Sequence, residues 1–319
     1  MAAASPLAVL PATGFRHEAL LYSGEQEFYD ATAAFIREGL GRGEDVLAAL
    51  PAPKIAALRD LLGRDADRVL FTDMGVLGQN PARIIPAWRA FVGSDARGAG
   101  PKRGIGEPVW HGRTDGELIE CQRHESLLNV AFSATDDWWL LCPYDTAALD
   151  PAIVDEARRS HPHLLVGGQH QASAALSADP ALAHLDAPLS PAPSSSGALS
   201  FGDGDIRMVR EQVATHILRS GMDAERGFDL LVAVTEVATN SLLHGGGRGE
   251  LRVWHDADMV VCEVSDNGVL ADPLAGRQAP NPDEEGRRGL WIANQLCDLV
   301  QIRVYDTGTV VRLHMSVTR

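Results

Sequence analysis

Between Gly167 and Gly202 both of the periodicities that organise a folded chain disappear. The run SAALSADPALAHLDAPLSPAPSSSGALS, Ser173 to Ser200, is rich in alanine, proline and serine, with neither strand alternation nor a helical repeat. Such a composition makes a spacer rather than a packed element, with room for at most a short helix over 179–184. The 319 residues are therefore read as two domains, 1–166 and 201–319, joined by a linker over 167–200. Each domain is long enough to bury its own core.

The two halves differ in order. Strand-like runs in the first, 17–23, 45–50, 68–73, 104–110 and 138–144, alternate with amphipathic runs over 25–40, 53–62, 81–92, 115–132 and 151–160. Alternation at this spacing predicts βαβ units and a mostly parallel, doubly wound sheet. Ser23 ahead of Glu25 and Glu27, and Thr114 with Glu117 three residues on, mark helix starts. From about Ala198 two helices come first, 205–220 and 224–244, the second carrying Phe228, Leu231, Val232, Val234, Val237 and Leu242. Strands over 250–256 and 259–265, a Pro/Gly/Asp-rich loop, a helix over 290–299 and strands over 301–305 and 309–317 follow. Helices gathered on one face of a largely antiparallel sheet make an α/β sandwich.

A formal charge of −15 argues against a general nucleic-acid or anionic-membrane surface, which needs basic patches for counterion release. No run approaches the roughly 18–20 apolar residues that cross a bilayer, and the start has no secretory-signal pattern, so a cytoplasmic location is expected. Cys121, Cys142, Cys262 and Cys297 are far apart, as reduced, packed thiols would be.

Three short segments in the second half carry chemistry. In TEVATNSLLHGG, Glu236, Asn240 and His244 fall at i, i+4 and i+8 and share one helix face. An acid, an amide and an imidazole in a row suit a hydrated divalent cation and its phosphate, although a solvated face ending in a glycine cap fits the segment equally. In SDNG, Asp266 can accept from an exocyclic amine and Gly268 lets a planar ligand approach the backbone; alone, the tetrapeptide is also a turn. In GRRGLWIANQL, glycines and arginines stand where a loop enters a helix, which suits phosphate.

The order E-x-x-x-N-x-x-x-H, D-x-G, G-x-x-G-L resembles the N, G1 and G2 boxes of the GHKL ATPase superfamily. Within it, VAVTEVATNSLLHGG, VSDNG, GRRGLWIANQLCDLV and Gly308–Thr309 are most similar to anti-sigma factor serine kinases. The resemblance covers roughly residues 201–319 and implies the Bergerat α/β sandwich, with ATP and Mg²⁺ as cofactors. It implies that Glu236 is the general base and Asn240 the Mg²⁺ ligand. Asp266 would bind the adenine amine with support from Thr309, and Gly268 would give the base room. The loop 269–288 would be the lid, with Gly286, Arg288, Gly289 and Leu290 around the phosphates. His244 matches an N-box histidine whose contact with phosphate stays open. The implied partners are a sigma factor and a STAS-type anti-anti-sigma protein, with Arg207 and Arg210 as sigma contacts and a homodimer formed through this domain. A histidine kinase would need a phosphoacceptor histidine on a dimerising hairpin; His216 lacks a following acidic residue and a second long helix.

The first half has no Walker A lysine, since neither Lys54 nor Lys102 precedes Ser or Thr, and no GxGxxG follows its first strand. Its polar residues gather near strand ends: His17, Glu18, Tyr22, Glu107, His111, Glu120, His124, Glu125, Asn129, Cys142, Tyr144, Asp145 and His161. The segments FRHEALLYS, GEPVWHGR, ECQRHESLLN, LCPYD and RRSHPHL resemble the MEDS sensory domain, over roughly residues 15–165. That resemblance implies a RecA-like shape and a sensing role without naming a ligand. The sensory candidates are His17, Glu107, His111, Glu125, Cys142 and His161. A metal reading starts from Cys121 and His124, i and i+3 on one helix, with His111, Cys142 and His161 elsewhere; zinc needs four converging ligands, and the sequence shows no convergence.

The whole chain is thus expected to be an anti-sigma regulator with ATP/Mg-dependent serine kinase activity toward an anti-anti-sigma antagonist, controlled by the N-terminal domain. The alternatives are an inactive, sigma-sequestering nucleotide-binding module, a histidine-kinase-like sensor, and a phosphatase or ATP-hydrolysing sensor.

Overall fold

A computed structural model describes residues 14–94, 100–132, 137–177, 188–280 and 288–318. Residues 179–184 lie outside these. The fold is mixed α/β and forms two compact units, one of Met1–Val76, Trp88–Arg113 and Leu128–Pro180, the other of Leu77–Ala87, Thr114–Leu127 and Ala181–Arg319. No helix among the described residues is long and apolar enough to cross a membrane.

The first unit is built on a seven-stranded sheet from β1 (Arg16–Tyr22), β2 (Asp45–Leu50), β3 (Val69–Asp73), β4 (Lys102–Gly106), β5 (Trp138–Asp145), β6 (His163–Val166) and β7 (Gln169–Ala172). Their order is β3-β2-β4-β5-β1-β6-β7, parallel throughout except for β7. The central strands read as continuous apolar runs because parallel strands are covered on both faces. Along the chain run α1 (Glu25–Gly41), α2 (Ala52–Leu62), α3 (Met74–Leu77), α4 (Ile84–Val92), α5 (Asp115–Ala131) and α6 (Pro151–Ser160).

One sheet face carries Leu20, Ala48, Leu50, Ile105, Trp139 and Leu141, packed with Phe28, Ile36 and Leu40 of α1 and Leu58 of α2. By the two-residue period of a strand, His17 and Ala19 of β1 and Leu140 and Cys142 of β5 point to the opposite face. The start of α6 is set locally, for the Asp150 carboxylate accepts from Ala152 N–H at 2.8 Å and Pro151 takes the first turn. At α1 the expected serine cap is replaced. Gly24 is the N-cap, and Glu27 reaches back to accept from the Ser23 N–H at 2.8 Å.

The second unit holds β8 (Ala198–Gly202), α7 (Ile206–Ser220), α8 (Ala224–His244), β9 (Arg248–Asp256), β10 (Met259–Asp266), α9 (Gly289–Leu296), β11 (Leu299–Tyr305) and β12 (Gly308–Ser316). The sheet is antiparallel in the order β11-β12-β10-β9-β8. A strand, β8, therefore precedes the two helices that the sequence placed first. Its core joins Val209 and Val213 of α7, Leu230, Val234 and Val237 of α8 and Ala293 of α9 to Leu251, Val260, Cys262, Val264, Val311 and Leu313 of the sheet. The Asp223 carboxylate caps α8, accepting from Glu225 N–H at 2.9 Å. Phe228, expected with the apolar set of α8, is 64% exposed instead.

This sheet carries a pH dependence. His314 on β12 shares a 3.0 Å hydrogen bond with the Gln301 Oε1 on β11. Burial, and then the nearby Arg312, lower its pKa to about 4 from 6.5, with Glu117 acting weakly the other way. The unfolded chain therefore binds a proton here that the native fold does not accept between those values. Stability from this group is complete above pH 6.5 and lost as the pH falls toward 4, by about 3 kcal/mol at most. Urea unfolding from pH 7 to 4 should show that slope, and His314→Gln should flatten it. An equally steep profile in the variant would contradict the assignment.

Candidate functional site

The three chemical segments of the second unit converge on one cavity. Its volume is about 750 Å³, within the range of small-molecule sites, and its walls include Val237, Asn240 and His244 of α8, Asp266, Gly268, Leu274, Leu290, Thr309 and Val311. The segment from Val269 to Pro280 forms one side.

Asp266 ends β10 opposite Thr309 of β12. Its Oδ2 accepts from the Ser241 hydroxyl at 2.6 Å and its Oδ1 from the Gly268 N–H at 2.8 Å. A carboxylate has about four acceptor positions, so an exocyclic amine can still be received. The Thr309 hydroxyl donates to Gly268 C=O at 2.8 Å, which fixes the turn from the neighbouring strand. A Cβ on Gly268 would stand 2.7 Å from the His244 carbonyl, so only glycine lets this turn close on the end of α8.

The start of α9 lies equally close to α8. A Cβ on Gly289 would be 2.5 Å from Asn240 Nδ2 and 3.1 Å from its Oδ1, so the free N–H groups of the α9 N-terminus come up beside the Asn240 amide. Helix dipole and the Asn240 amide, which lines the cavity, thus meet in a setting suited to phosphate with a divalent ion. Arg288 precedes α9 and is exposed. Gly286 lies outside the described residues.

Glu236 stands one turn before Asn240 on α8, half-buried, and is not among the residues lining the cavity. Ser241, which orients Asp266, escaped sequence reasoning. Its signal was a buried serine inside a helix, where serine is intrinsically a poor choice. Leu274 and Val311 escaped as well, since single apolar residues carry no mark of a ligand wall.

In the first unit the sensory candidates separate. Glu107 follows β4 and receives the Tyr22 hydroxyl at 3.1 Å and Lys54 Nζ at 2.5 Å, while Lys54 also donates to the Tyr22 oxygen at 2.8 Å. Burial pushes the Glu107 carboxyl above its ordinary value, with Lys54 pulling against it, and burial with Glu107 raises the Tyr22 phenol. His111 is exposed on a turn. His17, Cys142 and His161 come together in the interior of this unit; Glu125, whose stretch of α5 belongs to the second unit, is buried there.

Two family models match the chain. Residues 16–162 match the MEDS family, described as the methanogen/methylotroph, DcmR sensory domain, and residues 202–315 match the histidine kinase-like ATPase domain. Comparison with curated proteins gives no match. Among solved structures, the chain is similar to the RsbU and RsbW domains of Rv1364c from Mycobacterium tuberculosis, at 19% identity and a TM-score of 0.29. That alignment covers 38% of this chain and spans about a third, 32%, of the other.

Proposed function

We propose that this chain, which joins a MEDS domain to a histidine kinase-like ATPase domain, is an anti-sigma regulator that transfers the γ-phosphate of ATP to a serine of a STAS-type antagonist. The observation that supports this most is the pairing of Asp266, held by Ser241 and Gly268, with the Asn240–Gly289 junction across one cavity. An amine acceptor and a cation-and-phosphate setting are the two requirements of an adenine nucleotide.

Asp266 would take the adenine amine, and Thr309 would hold the Gly268 turn that faces the base. Asn240 would hold Mg²⁺, with His244, Arg288, Gly289 and Leu290 toward the phosphates. Bound Mg²⁺ supplies charge neutralisation on the phosphate oxygens. Glu236 would accept the proton of the acceptor serine hydroxyl. The exposed Arg207 and Arg210 on α7 would meet the sigma factor, and a homodimer would form through this domain. The MEDS domain would set the state of the switch in the cytoplasm.

A second reading, a module that binds nucleotide and sequesters sigma without catalysis, draws on one observation: Glu236 does not line the cavity. Equilibrium titration of the full chain with ATP and GTP tests the site both readings share. An acceptor at Asp266 suits the amine of adenine and is left unpaired by the oxo group of guanine, so GTP should bind at least about 100-fold more weakly. Equal affinity would remove the role given to Asp266.

A further inference from the structure

Away from the nucleotide cavity, the interior of the first unit gathers an unusual set of donors. His17 on β1 and Cys142 on β5 occupy neighbouring parallel strands, with His17 opposite Leu140 and Cys142 opposite Ala19, so the two project from one sheet face two residues out of register. His161 follows the last turn of α6 and returns over the same face, its ring centroid 4.0 Å from that of His17. The three side chains are at most 1% exposed, and their ligand atoms lie within 4.8 Å of one another.

Hydrogen bonds around the cluster settle which imidazole nitrogen faces inward. Asn129 Nδ2 donates to the Ser160 carbonyl at 2.7 Å, and a carbonyl can only accept, so the Asn129 amide oxygen is the atom facing His17. His17 Nδ1, 3.1 Å from that oxygen, must then carry a proton. His161 Nδ1 lies 2.8 Å from the Ala157 carbonyl and is a donor for the same reason. In each neutral ring the lone pair is therefore on Nε2. For His17 that atom faces Cys142 Sγ at 3.5 Å. A histidine that ligates a metal typically donates its other N–H to a carbonyl or amide oxygen in this manner.

The spacing has the same sense. Bond lengths of about 2.3 Å to sulfur and 2.0–2.1 Å to nitrogen at a tetrahedral ion put ligating S and N about 3.6 Å apart.

We propose that His17, Cys142 and His161 bind one zinc-class divalent ion, with water completing the four-coordinate sphere. Two imidazoles and a thiolate are the N/S donors of such an ion, whereas magnesium and calcium prefer oxygen alone. On binding, the Cys142 thiol loses its proton to solvent as the sulfur–metal bond forms, so uptake releases a proton and strengthens with pH. The site gives the MEDS domain a ligand of defined chemistry and is independent of the nucleotide reading.

The test uses the full chain, purified without chelator and loaded separately with Zn²⁺ and Co²⁺. About one zinc per chain should survive gel filtration, and the cobalt form should show a thiolate-to-cobalt charge-transfer band and the strong visible absorption of four-coordinate cobalt. Cys142→Ala should remove the charge-transfer band and His161→Gln should lower zinc affinity at least about 10-fold, with ATP binding retained as the sign of an intact chain. Should both variants fail to fold, the wild-type cobalt spectrum decides alone. Zinc content below about a tenth per chain after loading, or no thiolate band in the wild type, would overturn the proposal. So would a thiolate band unchanged by Cys142→Ala, and the cluster would then be an S–H···N hydrogen bond among packed rings.

Discussion

Glu236→Gln is expected to reduce phosphoryl transfer to the antagonist serine by about 10²–10⁴-fold while leaving ATP affinity within about twofold. The substitution keeps the shape of the side chain and removes only its ability to accept a proton. Because Glu236 does not line the cavity, it can act on the acceptor hydroxyl without touching nucleotide, which is why kcat should fall and binding should not. Single-turnover transfer from labelled ATP, beside a nucleotide titration of the same variant, separates the two quantities. Transfer at the wild-type rate would take the base role from Glu236. Loss of both quantities together would mean that the residue supports the fold of α8 instead.

The second large effect concerns the base. Asp266→Ala should weaken ATP binding by at least about 100-fold, because it removes the amine acceptor and leaves two donors, the Ser241 hydroxyl and the Gly268 N–H, without the carboxylate that now receives them. Ser241→Ala should cost far less, about 10-fold, since it frees the carboxylate to turn without removing it. The order of the two effects is the informative part. If Ser241→Ala were as damaging as Asp266→Ala, Asp266 would be holding the turn rather than reading the base. Thermal unfolding of both variants shows whether either loss is merely a loss of fold.

The elements that carry this site were largely legible in the sequence. The period of α8 puts Asn240 and His244 on one face, and the cavity is lined by both. The alternation of MVVCEVSD announces β10, whose end presents Asp266. Buried parallel strands such as β2 and β5 stand out as apolar runs between helices. By contrast β7 has all four residues exposed and β8 buries only Phe201, so neither leaves a hydrophobic pattern to find. Local motifs also could not show the closeness of Gly289 to Asn240, which is a tertiary contact between segments separated by β9, β10 and a long loop. The histidine–cysteine cluster was opaque for a related reason. Its members come from β1, β5 and the end of α6, and only the strand register brings them together. Glu236 marks the limit of motif reading, because its place in the row predicts a role that its distance from the cavity leaves to experiment.

Phosphoryl transfer itself separates the kinase from a sequestering protein. The full chain should be incubated with γ-labelled ATP, Mg²⁺ and candidate STAS-type antagonists, and the labelled residue mapped. Label on one antagonist serine, dependent on Mg²⁺ and absent with Glu236→Gln, is the predicted result. ATP bound at the cavity with no label on any serine would contradict it and leave the chain a nucleotide-binding sequestering protein.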